Sequence, residues 1–388
     1  MRSNSPHTDT LELLIKLSST SLTAAESAAL KEAIPVMEKE LLSEIRKHKI
    51  SYAIDRQMQK HPQLFSNNIK TQIKRQRLQY VQKALEYSKE TRRLQQMFEK
   101  KQIKVLFFKG IVLAKKLYND LGARQPGDID ILTEKTNFNR ARNLLEKAGY
   151  EAVSPSIPLS RKQIRVMQSI TNQMTFRHRE NKTVLELHWY LTNPKFIFNA
   201  TTSSILKEAI RVDISGEQIY TLSTSWYMLY LAAHGGLHQW CRLFWIKDFA
   251  VLLAQISEKE YRECENMAEK HKLTRTLHHA IRVVDETYGI PSRLKIEQSA
   301  VQNRLLKMAM EGLQKGGYRS KGIPGKIQNI FYRIKLFPKP GMYLFHFYRL
   351  RTHYRDWEEI KLPDALFFLY YLLRPFLVLR REIFRRKR

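Results

Sequence analysis

The sequence predicts an α+β (mixed α/β) fold, a small sheet in the middle third flanked by helical regions before and after it. Three observations carry this. From about Thr8 to Lys100 apolar residues recur at helical spacing, as in Leu78, Val81 and Leu85 and again in Leu94, Met97 and Phe98. At Ile103 the pattern changes to short runs rich in strand formers. From Trp226 to about Tyr288 the helical pattern returns.

The elements follow in order. Pro35 and Pro62 punctuate the first helices. Ile103 to Phe108 reads as a first strand, and Lys109 and Gly110 follow it. Ala114, Leu117, Tyr118 and Leu121 then mark a helix that stops at Gly122. Asp128 to Leu132 reads as a second strand. Thr136 is placed to cap a helix with inner face Phe138, Ala141, Leu145 and Ala148, and Gly149 is its expected stop. Met174 to His178 and Val184 to Tyr190 read as two further strands, joined by turn material at Glu180, Asn181 and Lys182. Gly316 to Gly341 is basic and rich in glycine and proline, which predicts a linker or irregular segment. The domain division expected from this is 1–100 helical, 101–222 sheet, 223–315 helical and 316–388 a basic, aromatic C-terminal region.

Composition bounds the function. With 388 residues and 43% hydrophobic content the chain can bury a sizeable core, so global disorder is excluded. A net charge of +30 attracts anions, whether nucleotides, nucleic acid or an anionic membrane surface, without choosing among them. Two cysteines, Cys241 and Cys264, make no disulfide framework and fit a reducing cytoplasm. Met1 to Thr10 has no apolar core of a secretory signal, and no stretch approaches the roughly 20 apolar residues of a spanning helix. No P-loop, G-x-S-x-G or H-E-x-x-H pattern is present.

The informative segment is Gly127-Asp128-Ile129-Asp130-Ile131-Leu132. Residues two apart on a strand share a face, so Asp128 and Asp130 are expected to project together. Two adjacent carboxylates repel, and a hard divalent cation relieves the repulsion. Mg²⁺, or Mn²⁺ in its place, is the expected ion. In Val184-Leu185-Glu186-Leu187-His188 alternation puts Glu186 and His188 on one face, and Glu186 is the candidate third carboxylate. D-x-D alone is weak. Its weight comes from the order strand, Lys-Gly, helix, Asp-x-Asp on a strand, Glu on a later strand.

That order resembles the nucleotidyltransferase superfamily with its polymerase-beta-like palm, and more narrowly the bacterial group known as uncharacterised nucleotidyltransferases. The resemblance runs through Phe108-Lys109-Gly110, Leu117-Tyr118, Arg124 to Leu132, Ala148-Gly149-Tyr150, Glu186-Leu187-His188-Trp189, His234 and Arg242 to Asp248. It implies metal-dependent transfer of a nucleotidyl group from an NTP to a hydroxyl-bearing acceptor. The acceptor classes left open are a sugar, a glycan, a peptide, a protein or RNA. It implies Asp128, Asp130 and Glu186 as catalytic and metal-binding residues. Lys109, Gly110 and Arg124 are the nucleotide-binding candidates, from phosphate contact at the start of a helix and from charge stabilisation. Lys109 is alternatively a solvated lysine and Arg124 a salt-bridge partner. Lys109-Gly110 replaces the superfamily's usual Gly-Gly or Gly-Ser phosphate loop.

Other signals are read as structural. His234, His238 and Cys241 have metal-compatible spacing but no fourth ligand nearby, and Asp248 reads as a hydrogen-bonding anchor. At 365–388 an apolar and aromatic stretch runs into Arg380, Arg381, Arg385, Arg386, Lys387 and Arg388. It is either a packed helix with a basic tail or a peripheral contact with an anionic membrane face. Rival readings are a catalytically inactive protein that binds a nucleotide or a partner, and a nucleic-acid-binding protein.

Overall fold

The computed structural model describes residues 6–19, 21–193, 195–293, 296, 299–315, 323–343 and 352–386. Five helices open the chain: α1 Pro6–Ser18, α2 Ala24–Val36, α3 Glu38–His48, α4 Ser51–Lys60 and the long α5 Asn67–Lys100. Then come β1 Val105–Phe107, α6 Gly110–Tyr118, β2 Ile129–Thr133, α7 Phe138–Lys147, β3 Tyr150–Ser154, α8 Arg161–Ile170, β4 Gln173–His178 and β5 Val184–His188. A short helix α9 Thr202–Lys207 leads to a hairpin, β6 Ile210–Ile214 and β7 Glu217–Thr221. The helices α10 Thr224–Leu237, α11 Leu243–Gln255, α12 Glu258–Lys270, α13 Thr274–Tyr288, α14 Ala300–Lys315, α15 Ile323–Leu336, α16 Tyr354–Glu359 and α17 Leu369–Arg386 complete it. The α+β reading holds.

The chain forms two compact units. The helical unit takes Met1–Arg92, Lys109–Pro126 and Ile210–Phe337. The sheet unit takes Arg93–Phe108, Gly127–Ala209 and Pro338–Arg388.

In the sheet unit the strand order is β1-β2-β5-β4-β3. β2 and β5 run parallel, and the other neighbours are antiparallel. A parallel pair needs a long crossover, and α7, β3, α8 and β4 supply it. β2 is buried along its whole length, as expected for a strand covered on both faces. The β4–β5 turn places Lys182 in the left-handed region, at φ 59°, with Asn181 Oδ1 accepting from Thr183 N at 3.0 Å. Gly149 ends α7 with φ 93°, where a Cβ would meet His178 Nε2 at 3.0 Å. Phe138, Ala141 and Leu145 are the buried face of α7, as the spacing predicts. Thr136 does not cap it. A 3-10 turn at Lys135–Asn137 precedes the helix, and the Thr136 hydroxyl donates to Glu134 instead.

In the helical unit, capping boxes start α2 (Thr23 with Glu26) and α12 (Ser257 with Glu260). α5 is helical as the spacing predicts, and its buried side is not the Leu78–Val81–Leu85 row. Leu78, Val81 and Leu85 are exposed, at 68%, 37% and 59%, while Ile69, Ile73, Ala84 and Tyr87 are buried. Val81 nevertheless meets Gly122 so closely that a Cβ there would lie 2.8 Å from its Cγ2. The segment expected to be irregular is corrected over Ile323–Leu336, which is helical. Pro324 falls in the first turn, where no N–H is needed, and Tyr332 and Leu336 are buried. Of the rest of that expectation, 316–322 lies outside the described residues, and 337–339 is irregular as expected.

Candidate functional site

The site grows from the parallel pair β2–β5. Their register sets Asp130 opposite Glu186 and Leu132 opposite His188. Ile129, Ile131, Leu185 and Leu187 are buried between them in alternation. Strand periodicity therefore carries the polar residues to one face. His188 Nε2 lies 2.9 Å from Asp130 Oδ1 and 3.4 Å from Glu186 Oε2. The Asp130 and His188 side chains are essentially inaccessible, whereas Glu186 is 20% exposed. Glu186 is thus the carboxylate that a second reactant can reach.

The state of the imidazole follows from its other neighbour. Asn172 Nδ2 lies 3.1 Å from His188 Nδ1 and 3.4 Å from the backbone oxygen of Tyr190. A carbonyl oxygen only accepts, so Asn172 turns its NH₂ group toward this pair. His188 Nδ1 therefore accepts, and the proton sits on Nε2, which donates to Asp130. Phe108 packs edge-on against the ring at 5.0 Å, and Phe108 N donates to Asp130 O. His188 is a donor that orients carboxylates, as the outer partners of metal-binding carboxylates do.

Among the described residues, Asp130, Glu186 and His188 bring ligating atoms within 4.8 Å of one another; with Nδ1 accepting from Asn172 and the proton on Nε2, His188 offers no lone pair, which leaves the two carboxylates as the ligands. The two carboxylates are hard oxygen donors, which fits Mg²⁺ or Mn²⁺. Asp128 stands one residue before β2 and is half-buried.

The other expected site residues, Lys109, Gly110 and Arg124, belong to the helical unit. Gly110 opens α6 with φ 52°, a conformation that favours glycine. Arg124 Nε lies 3.1 Å from Asp248 Oδ2, and the Tyr118 hydroxyl donates to Asp248 Oδ1 at 2.8 Å. Burial pushes the Asp248 carboxyl up against the opposing pull of Arg124, and raises the Tyr118 hydroxyl well above its ordinary value. Asp248 is thus the anchor the sequence suggests, tying α11 to α6 and to the segment after it. Beside it, burial and the charge of Lys60 lower Lys247 to about 8.

His234, His238 and Cys241 are not brought together as metal ligands among the described residues. The His238 ring stacks on Trp245 at 4.8 Å and lies 4.7 Å from His234. Burial lowers His238 to about 4. The sequence gives His188 a face but no role, because that role depends on Asn172, which no motif marks.

Comparison with known proteins supplies the remaining findings. The sequence matches the family described as "Uncharacterised nucleotidyltransferase" over residues 35–289. Among solved structures it is similar to an antigenic nucleotidyltransferase-like protein from Paracoccidioides brasiliensis, with 16% identity and a TM-score of 0.30, over 49% of this chain and 91% of that one. None of the curated proteins matches. The family match spans more than half of the chain, and the protein belongs to the uncharacterised nucleotidyltransferase family.

Proposed function

We propose that the protein transfers a nucleotidyl group from an NTP to a hydroxyl-bearing acceptor, and that Asp130 and Glu186 are its central carboxylates. The observation that carries this reading is the Asp130–Glu186 pairing across parallel strands, within reach of one ion, in a chain of this family. In the reaction an acceptor oxygen bonds to the α-phosphorus, the bond from that phosphorus to the bridging oxygen breaks, and pyrophosphate leaves. Asp130 and Glu186, with Asp128 two residues before Asp130 in the sequence, would hold the divalent ion. An ion held there would supply positive charge to the phosphates and lower the pKa of the acceptor hydroxyl. Glu186, the more exposed of the pair, takes the proton released by the acceptor. His188 fixes the Asp130 carboxylate through its Nε2 proton. Lys109 and Gly110 are assigned to nucleotide binding from the sequence order, and Arg124 is held by Asp248.

The acceptor belongs to one of the classes of sugar, glycan, peptide, protein or RNA. Two buried free thiols, Cys241 and Cys264, suit a reaction in the cytoplasm. The test is pyrophosphate release from each NTP with Mg²⁺ or Mn²⁺ and a cell extract, wild type beside Asp130→Asn. Release by wild type alone supports the reading. Nucleotide binding without release by either protein supports an inactive binding protein instead.

A further inference from the structure

The last helix, α17, is built the wrong way round for a packed surface helix. Its inward face is Tyr370, Arg374, Leu377 and Arg381, at spacings of four, three and four residues. Tyr370 and Leu377 are buried. The Tyr370 hydroxyl donates to Ile360 O at 2.7 Å and accepts from Leu362 N at 2.9 Å. Arg374 reaches both oxygens of the buried Asp356 at 2.8 and 2.7 Å, and Arg381 reaches Asp356 at 2.6 Å and Glu359 at 2.7 Å. Charged pairs thus clamp this face onto α16, where Trp357 is fully buried.

Two residues further along, a second row runs at the same spacings: Leu372, Phe376, Leu379 and Ile383. Two residues are about 200° of helix rotation, so this row lies opposite the clamped one. The four residues are exposed by 64%, 71%, 61% and 49%, and Phe368, one turn before, by 55%. A contiguous apolar stripe of this kind marks an interaction surface rather than scattered exposure. The sequence around it is cationic. From Leu369 to Arg388 the sequence has seven Lys and Arg against one Glu, with Arg385, Arg386, Lys387 and Arg388 in succession. Arg380, one turn from Phe376, is 54% exposed and reaches Glu359 at 2.5 Å. Apolar stripe plus basic sequence is complementary to an anionic lipid surface, with acyl chains under the stripe and phosphates near the basic residues that close the sequence. No helix among the described residues is long and apolar enough to cross a membrane, so the helix would lie on the surface rather than span it.

We infer that α17 docks the protein on an anionic bilayer through Leu372, Phe376, Leu379 and Ile383, with the basic residues that close the sequence, Arg385 to Arg388, drawn to lipid phosphates. Clamping by Asp356 and Glu359 leaves the stripe ordered before it meets lipid, which lowers the entropy cost of docking.

The experiment is flotation of the full chain with vesicles of phosphatidylcholine alone, and of phosphatidylcholine with about 30 mol% phosphatidylglycerol. Two variants at exposed positions, Phe376→Gln/Leu379→Gln and Leu372→Gln/Ile383→Gln, run beside wild type, each checked for an unchanged unfolding transition. Wild type is expected to float with the anionic vesicles, not with the neutral ones, and less at high salt. Each variant is expected to partition about tenfold or more weakly. Wild type that stays unbound, that floats equally with neutral vesicles, or that floats no better than the variants overturns the inference. So does a wild-type dimer that the variants abolish without any vesicle binding, because the stripe then covers a second copy.

Discussion

The Nε2 proton of His188 points at Asp130 Oδ1 across 2.9 Å, because Asn172 occupies the other ring nitrogen at 3.1 Å. This fixes what each substitution does. His188→Gln keeps a donor at similar reach, while His188→Leu removes it and leaves the buried Asp130 with one bond fewer. Mn²⁺ titration followed by electron paramagnetic resonance is expected to show affinity 10- to 100-fold weaker for His188→Leu, by analogy with loss of other outer partners of metal sites. The Gln variant should stay within a few fold. Asn172→Asp, similar in volume, replaces the NH₂ donor with an acceptor, draws the proton to Nδ1, and should weaken Mn²⁺ binding as the Leu variant does. Equal affinity in all four proteins would show that His188 has no orienting role.

Arg124 and Asp248 make a buried pair in the helical unit. Removing one partner strands the other, whereas removing both is far milder. Arg124→Gln is expected to lower the unfolding free energy of that unit by about 3 kcal/mol, and Arg124→Gln/Asp248→Asn to recover much of it. A double variant as unstable as the single one would contradict the pairing. Thermal or denaturant unfolding reads both.

Three histidines of the same unit predict acid sensitivity. Burial lowers His48 to about 4, outweighing the nearby Glu44, His238 to about 4 and His279 to about 3. His48 stays neutral because its Nδ1 accepts from Leu243 N at 3.1 Å and so caps α11. A folded value below the unfolded one, about 6.5, means the unfolded chain binds more protons as pH falls. Stability is therefore full above about pH 6.5 and declines below it, by up to about 1.4 kcal/mol per pH unit for each histidine until the folded value is reached. Asp248, raised by burial, offsets part of this. Unfolding free energies measured from pH 7.5 to 4.5 should fall in that window, and His48→Ala should flatten the slope. A pH-independent stability would refute the assignment.

Gly235 lies under the fully buried Trp240, whose ring carbons Cζ3, Cη2 and Cε3 a Cβ would overlap. Gly235→Ala gains about 1 kcal/mol of helix propensity, but overpacking costs about 1–3 kcal/mol. The overlap involves ring atoms that cannot bend away, so a net loss is expected on thermal unfolding. A rise in stability would mean that Trp240 shifts freely.

The sequence shows the sheet well where periodicity and turn chemistry agree. The β4–β5 hairpin has Asn181 and Lys182 at its turn, and α7 has both its inner face and its glycine stop. It says less where apolar residues are placed outward. The spacing of Leu78, Val81 and Leu85 shows the helix but not its buried side, since all three are exposed and periodicity alone cannot tell which side of a long helix meets a neighbour. Pro324 and Gly325 suggest a linker and instead begin α15. At the site, Asp130 and Glu186 are legible as strand residues facing one way. Their exact pairing is set by the β2–β5 register, a long-range property, and Asn172 acts through a hydrogen bond that leaves no pattern in the chain.

The most direct test of the central claim follows the label rather than the pyrophosphate. Wild type, Asp130→Asn and Glu186→Gln are incubated with Mg²⁺ or Mn²⁺, a cell extract, and NTPs labelled at the α- or the γ-phosphate. The expected result is transfer of the α label to a larger species by wild type, reduced at least about 10²-fold in either variant, with the γ label released in pyrophosphate. Transfer of the γ label, or equal α-label transfer by wild type and Asp130→Asn, would contradict nucleotidyl transfer at Asp130 and Glu186.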